Sequence, residues 1–513
     1  MLVKREALLA RASRVGLSGL LALALAAFAR PVFAALPGEG EPIRTNDYSL
    51  DLHQGPVLSA NRVIGLAGAF VAIADGVEGA AINPAATAAR TPYSYGHFDY
   101  DVGFGITFPS ALDNSDFWNS GRPTQLPKSE SFDFLFLSLA LQLQFGRWGF
   151  GFATDFQQYL LLRGEDPGGA AQGIERDRLA AEIAIGHLQL AHSFADGQFL
   201  VGVGMRTTGL SVTKDNLTSV ASKDLFSTVG TGFETGFIWR PTDWQIRLGA
   251  AFHDGFTTRA SPESETFVIY EDDPQNRLYL PEQVSLPWDL NVGFAAQLGP
   301  RPLNPRWIDP SIVLQPMRRY LEWRAHERER RLRLFERESI AGETQRERRQ
   351  RLRQLRRELR AEAELDDRER ARVEKDLYRR LRQRYQEQAR FFVLVTTSIM
   401  VSGPVDNAVG IESMLQRTVQ RSGERTSLSP HLGVETEIIP HWLRLRGGTY
   451  LEPSRFASNP KGARLHATFG FDQKVLPFDV FGAFPEGTEW RVSGSVDASR
   501  SYLGWGLSLG VWR

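Results

Sequence analysis

Strict alternation of large apolar side chains is the feature that most restricts the fold of this 513-residue chain. In the stretch LFLSLALQLQF, residues 135–145, an apolar residue stands at every second position, with Ser138, Ala140, Gln142 and Gln144 between. A period of two places one set of side chains on each face of a β-strand. The pattern alone fits either a water-soluble β-sandwich or a membrane barrel, so the connections between the strands have to decide.

The connections favour a barrel. Most long connections, near 109–130, 162–175, 214–224, 259–284 and 404–427, alternate with tight turns such as GR, DG, PTD and PH. An even number of strands with long loops at one end and short turns at the other is typical of outer-membrane barrels. The connections near 474–487 and 498–501 depart from this alternation. We therefore predict an all-β transmembrane barrel of about 14 antiparallel strands, near residues 93–108, 131–145, 147–161, 176–195, 197–213, 225–240, 243–258, 285–299, 390–403, 428–439, 442–451, 463–473, 488–499 and 502–512.

Tryptophan positions support the same fold. Indole prefers the interface between membrane and water, because its ring is apolar and its N–H is a hydrogen-bond donor. The tryptophans located where the predicted strands meet the periplasmic side should therefore form a belt there, and they are Trp148, Trp239, Trp244, Trp442 and Trp490, with Trp512 at the end of the last strand.

The N-terminal residues predict export to the outer membrane of a bacterial cell. A basic start with Lys4, Arg5, Arg11 and Arg14 precedes an apolar run at 15–29, as in a secretory signal peptide, here cut after Ala34. No other stretch is long and apolar enough for a membrane-spanning helix. The chain has no cysteine, which excludes disulfide scaffolds and thiolate metal sites.

Residues 65–90, after the predicted signal peptide, form a segment rich in glycine and alanine, GLAGAFVAIADGVEGAAINPAATAAR. Its pattern resembles the N-terminal hatch of FadL-type outer-membrane transport proteins. The matching residues are Gly65, Gly68, Ala69, Phe70, Ala72, Ala74 and Asp75, followed by Asn83, Pro84 and Ala85. The resemblance implies a plug inside the barrel, where small residues allow close contact with the wall. The alternative is an ordinary short buried helix from Leu66 to Ala74, followed by a turn.

The resemblance also implies a function. Proteins of this kind take up hydrophobic compounds, such as long-chain fatty acids, and release them sideways through the barrel wall into the bilayer. Such an exit avoids the cost of hydrating apolar surface, about 25 cal/mol per Å². Glycines within strands could form a gap in the wall, and candidates are Gly149, Gly151, Gly202 and Gly204. The residues that contact the cargo cannot be read from the sequence.

A charged block at Met317 to Arg390 interrupts the strands. It holds 25 Lys and Arg against 16 Asp and Glu, a net charge of +9, whereas the whole chain is neutral. Leu352, Leu355 and Leu359 recur at helical spacing, and Asp366 or Asp367 could cap a third helix. We predict a helical hairpin or three-helix coil, on the periplasmic side because it follows the eighth strand. It is either a solvated helix pair or an arm that contacts a periplasmic protein, anionic lipid headgroups or the cell wall.

The predicted organisation has five parts: a signal peptide at 1–34, a plug at 35–92, a first barrel part at 93–300, a periplasmic helical insert at 301–390 and a second barrel part at 391–513. No catalytic or metal-binding motif is recognisable, and no cofactor is expected. His187 and His192 lie five residues apart on one strand and should point to opposite faces. We expect a transporter rather than an enzyme or nucleic-acid-binding protein. The alternative is an envelope scaffold or secretion-associated barrel that uses the insert to bind a partner.

Overall fold

The chain folds as one closed barrel with structure added at both ends. A computed structural model describes residues 36–90, 94, 96–109, 116–121, 134–163, 177–215, 223–259, 267–270, 273–338, 343–475 and 488–512. The predicted signal peptide lies outside this described part. The barrel strands are β1 (Phe98–Phe108), β2 (Phe134–Phe145), β3 (Trp148–Arg163), β4 (Asp177–Phe194), β5 (Phe199–Asp215), β6 (Lys223–Trp239), β7 (Ile246–His253), β8 (Asp289–Leu298), β9 (Val393–Ser402), β10 (Ser427–Ile439), β11 (Leu443–Glu452), β12 (Arg464–Lys474), β13 (Trp490–Ser499) and β14 (Tyr502–Val511).

All neighbouring strands are antiparallel, and β14 pairs with β1 to close the barrel. The predicted barrel of 14 strands is confirmed. The sandwich alternative is wrong, because the strands form one continuous sheet rather than two packed ones. No helix within the described residues is both long and apolar enough to cross a bilayer.

The two faces of the barrel wall have opposite character. Large apolar side chains point outward from the strands and are 40–60 % exposed in many cases, for example Phe104, Leu139, Phe152, Val203, Phe233, Val292, Ile399, Leu432 and Phe469. The inward positions carry buried polar or charged side chains, such as Gln142, His187, Arg206, Glu234 and Glu435. An apolar outer surface around a polar interior is the arrangement of a barrel that lies in a membrane.

The two rims also differ. Tight turns connect β2 to β3, β4 to β5, β6 to β7 and β10 to β11 at what we call the turn end, and longer segments lie at the opposite loop end. One tight connection, between β13 and β14, lies at the loop end, as the sequence suggested. The predicted strand at 243–258 is shorter in the structure, because Phe256–Arg259 leaves the barrel and pairs with Gln283–Leu286 instead.

A cap covers the loop end. Its sheet contains, in spatial order, Arg421–Ser422, Ala408–Gly410, Ser49–Asp51, Gln283–Leu286 and Phe256–Arg259. The helix Ile411–Gln416 packs beside it, and Phe267–Tyr270 forms a hairpin with Asp273–Tyr279. Its apolar core includes Tyr48, Leu50, Phe117, Val409 and Met414. The segment predicted as plug therefore begins in the cap, and its later residues run through the barrel lumen to the turn end.

The charged block forms a hairpin of two helices, α1 (Gln315–Arg337) and α2 (Gln345–Gln386), inserted between β8 and β9. A shorter helix, Pro310–Val313, precedes α1. The predicted hairpin is confirmed, but the predicted cap at Asp366 or Asp367 is wrong. Both residues lie inside α2, and Asp366 is buried against α1, where Arg324 lies 2.6 Å away and Arg328 also contacts it. Asp366 therefore joins the two helices through ion pairs and does not cap a helix end.

The tryptophan belt is only partly present. Trp148, Trp244 and Trp442 are about half exposed at the turn end, and Trp239 lies beside Trp244 with ring centroids 6.1 Å apart. Trp490 and Trp512 are buried instead. The guanidinium of Arg444 lies over the Trp512 ring, 4.4 Å from its centroid. These two tryptophans therefore hold the end of the chain in place and do not face lipid.

Candidate functional site: the plug and the lumen cavities

Asn83 joins the plug to the barrel wall. It is fully buried and extended, and it precedes the short 3-10 helix Pro84–Ala88. Its Oδ1 accepts a hydrogen bond from the Ala85 amide at 3.0 Å. Its Nδ2 donates to the carbonyl of Val71 at 2.9 Å and lies 3.3 Å from the carbonyl of Phe237 on β6. One side chain thus caps a helix, bridges two plug segments and contacts the wall.

Glycines of the wall make room for the plug at this corner. A Cβ on Gly236 of β6 would lie 1.9 Å from Asn83 Oδ1, and one on Gly202 of β5 would lie 2.3 Å from the Pro84 carbonyl carbon. Gly149 faces the Thr87 carbonyl in the same way. The strand pairing is continuous through 149–151 and 202–204. The glycines suggested as a gap in the wall are therefore paired positions that accept the plug or neighbouring side chains.

Arg247 of β7 ties Asp75 to the turn end. Its Nη1 lies 2.7 Å from Asp75 Oδ1 and also donates to the Ile73 carbonyl. Its other nitrogens donate to the Leu303 carbonyl and to Asn304 Oδ1, both at 2.7 Å. This buried guanidinium therefore joins the wall, the plug and the segment that leads to the helical hairpin.

The first half of the motif is held on the other side of the lumen. The short helix Asn61–Gly65 carries Arg62, whose Nε and Nη2 donate to Glu435 of β10 at 2.9 and 2.8 Å. The Arg62 guanidinium lies 5.1 Å from the centroid of the buried Phe70 ring. Gly68 has φ +78°, and a Cβ there would lie 2.9 Å from His431 Nδ1, so the turn requires glycine. The alternative of a helix over 66–74 is wrong, since these buried residues form consecutive turns.

A strap, residues 299–314, follows the turn-end rim from β8 towards β1. Asn304 Nδ2 donates to the carbonyls of Pro241, Trp244 and Ile246. Further along, Arg306 Nη2 lies 2.6 Å from Asp196 in the β4–β5 turn. The Arg90 guanidinium at the end of the plug lies 4.5 Å from the Trp307 ring centroid. The strap therefore covers the end of the plug and joins the barrel to α1.

Asp309 anchors the far end of the strap. Its carboxylate accepts a hydrogen bond from the Ser311 amide at 2.8 Å and lies 3.3 Å from His97 Nδ1, just before β1. Partial burial acts to raise the pKa of this carboxyl, but the contacts with Ser311 and His97 outweigh burial and hold the pKa below its usual value. The anchor is therefore charged at neutral pH.

Three cavities lie in series between the cap and the wall. The outer cavity is about 10 Å³ and the central cavity about 220 Å³, and both are lined by His53 and Gly55. The wall cavity is about 30 Å³ and shares Ser59, Ala81 and Asp155 with the central cavity. The N-terminal segment borders all three cavities, with His53 and Gly55 at the outer one, residues 52–59 at the central one, and Ser59 and Ala60 at the wall one.

The wall cavity lies where β1, β2 and β14 meet. The inner face is built of small residues there, namely Gly103, Gly105, Ser138, Ala140 and Ser508. Phe104, Leu139 and Leu509, which are more than one-third exposed on the outer face, border the same cavity. The β1–β14 ladder pairs only 103–108 with 505–510, whereas the β1–β2 ladder extends from 98 to 107. The β1–β14 seam that closes the barrel thus has few residue pairs, and its inward-facing side chains are small at this cavity.

A polar network borders the central cavity. His187 Nδ1 lies 2.8 Å from Glu234 Oε2, and His253 Nδ1 lies 2.7 Å from Asp289 Oδ1. Arg206 reaches both Asp289, at 3.3 Å, and the Asp254 carbonyl, at 2.6 Å. His187 faces the lumen, while His192 packs on the ring of Trp148 at 4.4 Å, so the two histidines point to opposite faces as predicted.

The sequence analysis did not identify these lumen residues as a site, because they belong to five different strands. The described residues contain no group of three or more His, Asp or Glu side chains placed to hold a metal ion. Apolar residues, including Leu52, Val57, Val63, Ile185 and Met400, complete the lining. The arrangement can bind a small molecule with both apolar and polar parts.

The chain is similar to several solved structures. No family description matches the sequence, and no curated protein matches it. The chain is similar to the crystal structure of a Pseudomonas aeruginosa FadL homologue, with 11 % identity, a TM-score of 0.45 and coverage of 90 % of this chain and 99 % of that chain. It is also similar to the CymD monoaromatic hydrocarbon channel, with 10 % identity, a TM-score of 0.45 and coverage of 90 % and 97 %.

A third similar structure is the P. putida toluene transporter TodX, with 10 % identity, a TM-score of 0.44 and coverage of 90 % of this chain and 98 % of that chain. Sequence identities and TM-scores this low establish neither the cargo nor the mechanism of this chain. A FadL homologue is among the structures to which the chain is similar.

Proposed function

We propose that this protein is an outer-membrane barrel for the passive uptake of small hydrophobic compounds, which leave sideways through the wall between β1 and β14. The single observation that carries the proposal is the series of three cavities that share lining residues from the cap to this seam. The loop end faces the exterior of the cell and the turn end faces the periplasm, because long loops are extracellular in such barrels.

The covered ends support a sideways exit. Plug and strap occupy the turn end, where Arg247 and Arg90 connect them to each other and to the wall. A hydrophobic cargo gains nothing from a water-filled path, since each Å² of apolar surface costs about 25 cal/mol to hydrate. Moving from an enclosed cavity into the surrounding bilayer avoids that cost.

Cavity size restricts the cargo. Pockets for drug-sized ligands have volumes of about 300–1,000 Å³. The central cavity, at about 220 Å³, is smaller than this range. A compact compound, or one segment of a longer chain such as a fatty acid, therefore fits without a large rearrangement of the plug.

A reversible cross-link at the seam tests the exit. Ile106 of β1 faces Leu507 of β14, and the chain has no native cysteine to interfere. Directly opposed residues on neighbouring strands have Cβ atoms about 4.5–5.5 Å apart, close enough for a disulfide after a small adjustment. In the double variant Ile106→Cys and Leu507→Cys, oxidation should lock β1 to β14 and stop the uptake of radiolabelled eight-carbon (C8) compounds by intact cells. Reduction of the disulfide should restore uptake.

The matched control joins β5 to β6, away from the seam. Val201 and Phe237 are also paired and outward-facing. Their double cysteine variant should transport equally well when oxidised and reduced. Equal uptake by the oxidised seam variant would contradict an exit at β1 and β14, even if the protein is a transporter.

A second function is favoured by the helical hairpin. Tyr320 and Trp323 of α1 are exposed, and their rings stack 6.1 Å apart. Leu334 and Leu365 are also more than half exposed in this strongly basic part of the chain. Such a surface could bind a periplasmic protein, anionic lipid headgroups or the cell wall. In that case the barrel would be a membrane anchor for an envelope scaffold.

A further inference from the structure

Unpartnered polar atoms surround the central cavity. Arg206, His253, Asn291 and His431 all line it, and each is more than nine-tenths buried. The atoms Arg206 Nε, His253 Nε2, Asn291 Oδ1 and His431 Nε2 have no hydrogen-bond partner among the residues that the structure describes. A buried polar group without a partner costs about 1–3 kcal/mol. His253 Nε2 lies 3.9 Å from Glu234 Oε2, so the other three atoms are the ones that indicate a ligand that supplies hydrogen bonds.

The hydrogen-bonding roles of three of these atoms follow from their chemistry and their contacts. Asn291 Oδ1 is an acceptor, and Arg206 Nε carries a proton and can only donate. His431 Nδ1 lies 2.6 Å from the Ala67 carbonyl, so this nitrogen carries a proton and the neutral ring presents an acceptor at Nε2. The site therefore needs a group that can both donate and accept.

The strand order brings most of these atoms together. Asn291 follows Asp289 by two residues on the inward face of β8, and Asp289 pairs with His253 on β7. Arg206 of β5 reaches Asp289 at 3.3 Å. His431 is on β10, two strands from β8 and therefore about 10 Å away. Asn291, His253 and Asp289 form one polar side of the cavity, which Arg206 reaches from β5, three strands from β8, through its long side chain, and His431 is a separate polar point.

Charge disfavours an anionic group at this polar side. Asp155 and Asp289 both line the cavity, and Arg206 is already in contact with Asp289 and with the Asp254 carbonyl. Burial, reinforced by Arg455, holds the pKa of His53 well below its usual range, so this ring adds no compensating positive charge. A carboxylate would bring a further negative charge and has no proton to donate to Asn291.

We propose that the cargo is a small amphipathic compound whose head is a hydroxyl group, held between Asn291 Oδ1 and Arg206 Nε, with its apolar part against Val57, Val63 and Met400. The hydroxyl donates to the amide oxygen and accepts from the guanidinium N–H. Neither a pure hydrocarbon nor a carboxylate satisfies both. This inference rests on the proposed uptake function and narrows its substrate class.

The test compares three C8 probes on the full-length protein in nanodiscs, with binding to empty nanodiscs subtracted. We expect 1-octanol to bind about tenfold more tightly than n-octane or octanoate, because a site that hydrogen-bonds a hydroxyl strongly rejects analogues that lack it. Asn291→Leu should remove this advantage and leave octane binding unchanged or stronger. Thr208→Val is the matched control, since Thr208 is buried in β5 but does not line the cavity, and it should keep the preference for octanol.

The other possible results show whether the hydroxyl head or the uptake function is contradicted. If octane and octanol bind equally, or octanoate binds best, the hydroxyl head is wrong while uptake of hydrophobic compounds still stands. If the preference for octanol survives in Asn291→Leu, water rather than cargo occupies the polar side, and the proposal is overturned. If none of the three probes binds, both this inference and the proposed uptake function are contradicted.

Discussion

The contact between Asn83 and Gly236 shows how single residues fix the plug. The amide of Asn83 reaches plug and wall carbonyls only because the opposite wall position has no Cβ. The sequence contained both halves of this contact, the Asn-Pro-Ala corner and the glycine in β6. Their meeting could not be predicted, since it depends on the depth at which the plug lies in the barrel.

Gly236→Ala should displace the plug. The added Cβ would lie 1.9 Å from Asn83 Oδ1 and 2.9 Å from Pro84 Cδ, so the corner has to move. Such overpacking costs about 1–3 kcal/mol. We expect lower thermal stability and frequent conductance steps in planar bilayers, where the unchanged protein stays closed.

Gly186→Ala provides the control for this substitution. Gly186 lies in β4, and the nearest atom to an added Cβ is the Thr207 carbonyl oxygen at 4.0 Å. The variant makes the same chemical change in a barrel strand without touching the plug, and it should behave as the unchanged protein. Equal conductance from both alanine variants would show that the plug does not close the lumen at Asn83.

At the scale of elements, strands were easier to predict than helix ends and sites. Period-two alternation located all fourteen strands, because one face of each strand must suit lipid and the other the lumen. The seventh strand was predicted too long, since the same alternation continues into Phe256–Arg259 of the cap sheet. The cavity lining could not be predicted, because Arg206, Asn291 and His431 line one cavity only through the order and register of the strands.

The helical hairpin depends on Asp366. This carboxylate lies between Arg324 and Arg328 of α1, and it is buried although it is in the middle of α2. Asp366→Ala should improve intrinsic helix propensity by about 0.5 kcal/mol. It should nevertheless destabilise the hairpin by about 1–3 kcal/mol, because two partly buried arginines lose their partner. Far-UV circular dichroism of the full-length protein should show the helical signal melting at lower temperature.

The Asp367→Ala variant separates the effect of the ion pair on hairpin stability from the effect of helix propensity. Asp367 is the next residue of α2 and is exposed, so its replacement changes propensity alone. We expect the hairpin to melt at an unchanged or slightly higher temperature. A similar decrease in both variants would mean that the contacts of Asp366 do not stabilise the hairpin.

The whole molecule consists of a barrel with its cap, plug and strap, and a hairpin that follows the strap in the chain. The anchors of the strap, at Asn304, Arg306 and Asp309, all precede α1. Within the hairpin, Arg331 pairs with Glu362 at 2.7 Å, so the start of α1 at Gln315 lies level with residues near 378 of α2. The rest of α2, to Gln386, extends about 12 Å further at 1.5 Å per residue. Arg384 of α2 borders a cavity with strap residues Arg306 and Trp307, but none of the three strap anchors contacts the hairpin through the hydrogen bonds and ion pairs given above, so we expect the strap to stay in place when the hairpin is removed.

Replacing residues 317–386 with a ten-residue Gly/Ser linker tests the two proposed functions against each other. Such a linker spans about 17 Å on average, enough to rejoin the chain. If the protein is a transporter, the shortened barrel should migrate as a folded barrel in unheated gels and take up C8 compounds within about twofold of the full-length rate, since no hairpin residue lines the three cavities. If it is a scaffold, a cross-linked periplasmic partner should be recovered with the full-length protein and lost with the shortened one. A folded, shortened barrel that no longer takes up cargo would contradict the independence of the two parts, because uptake would then require the hairpin.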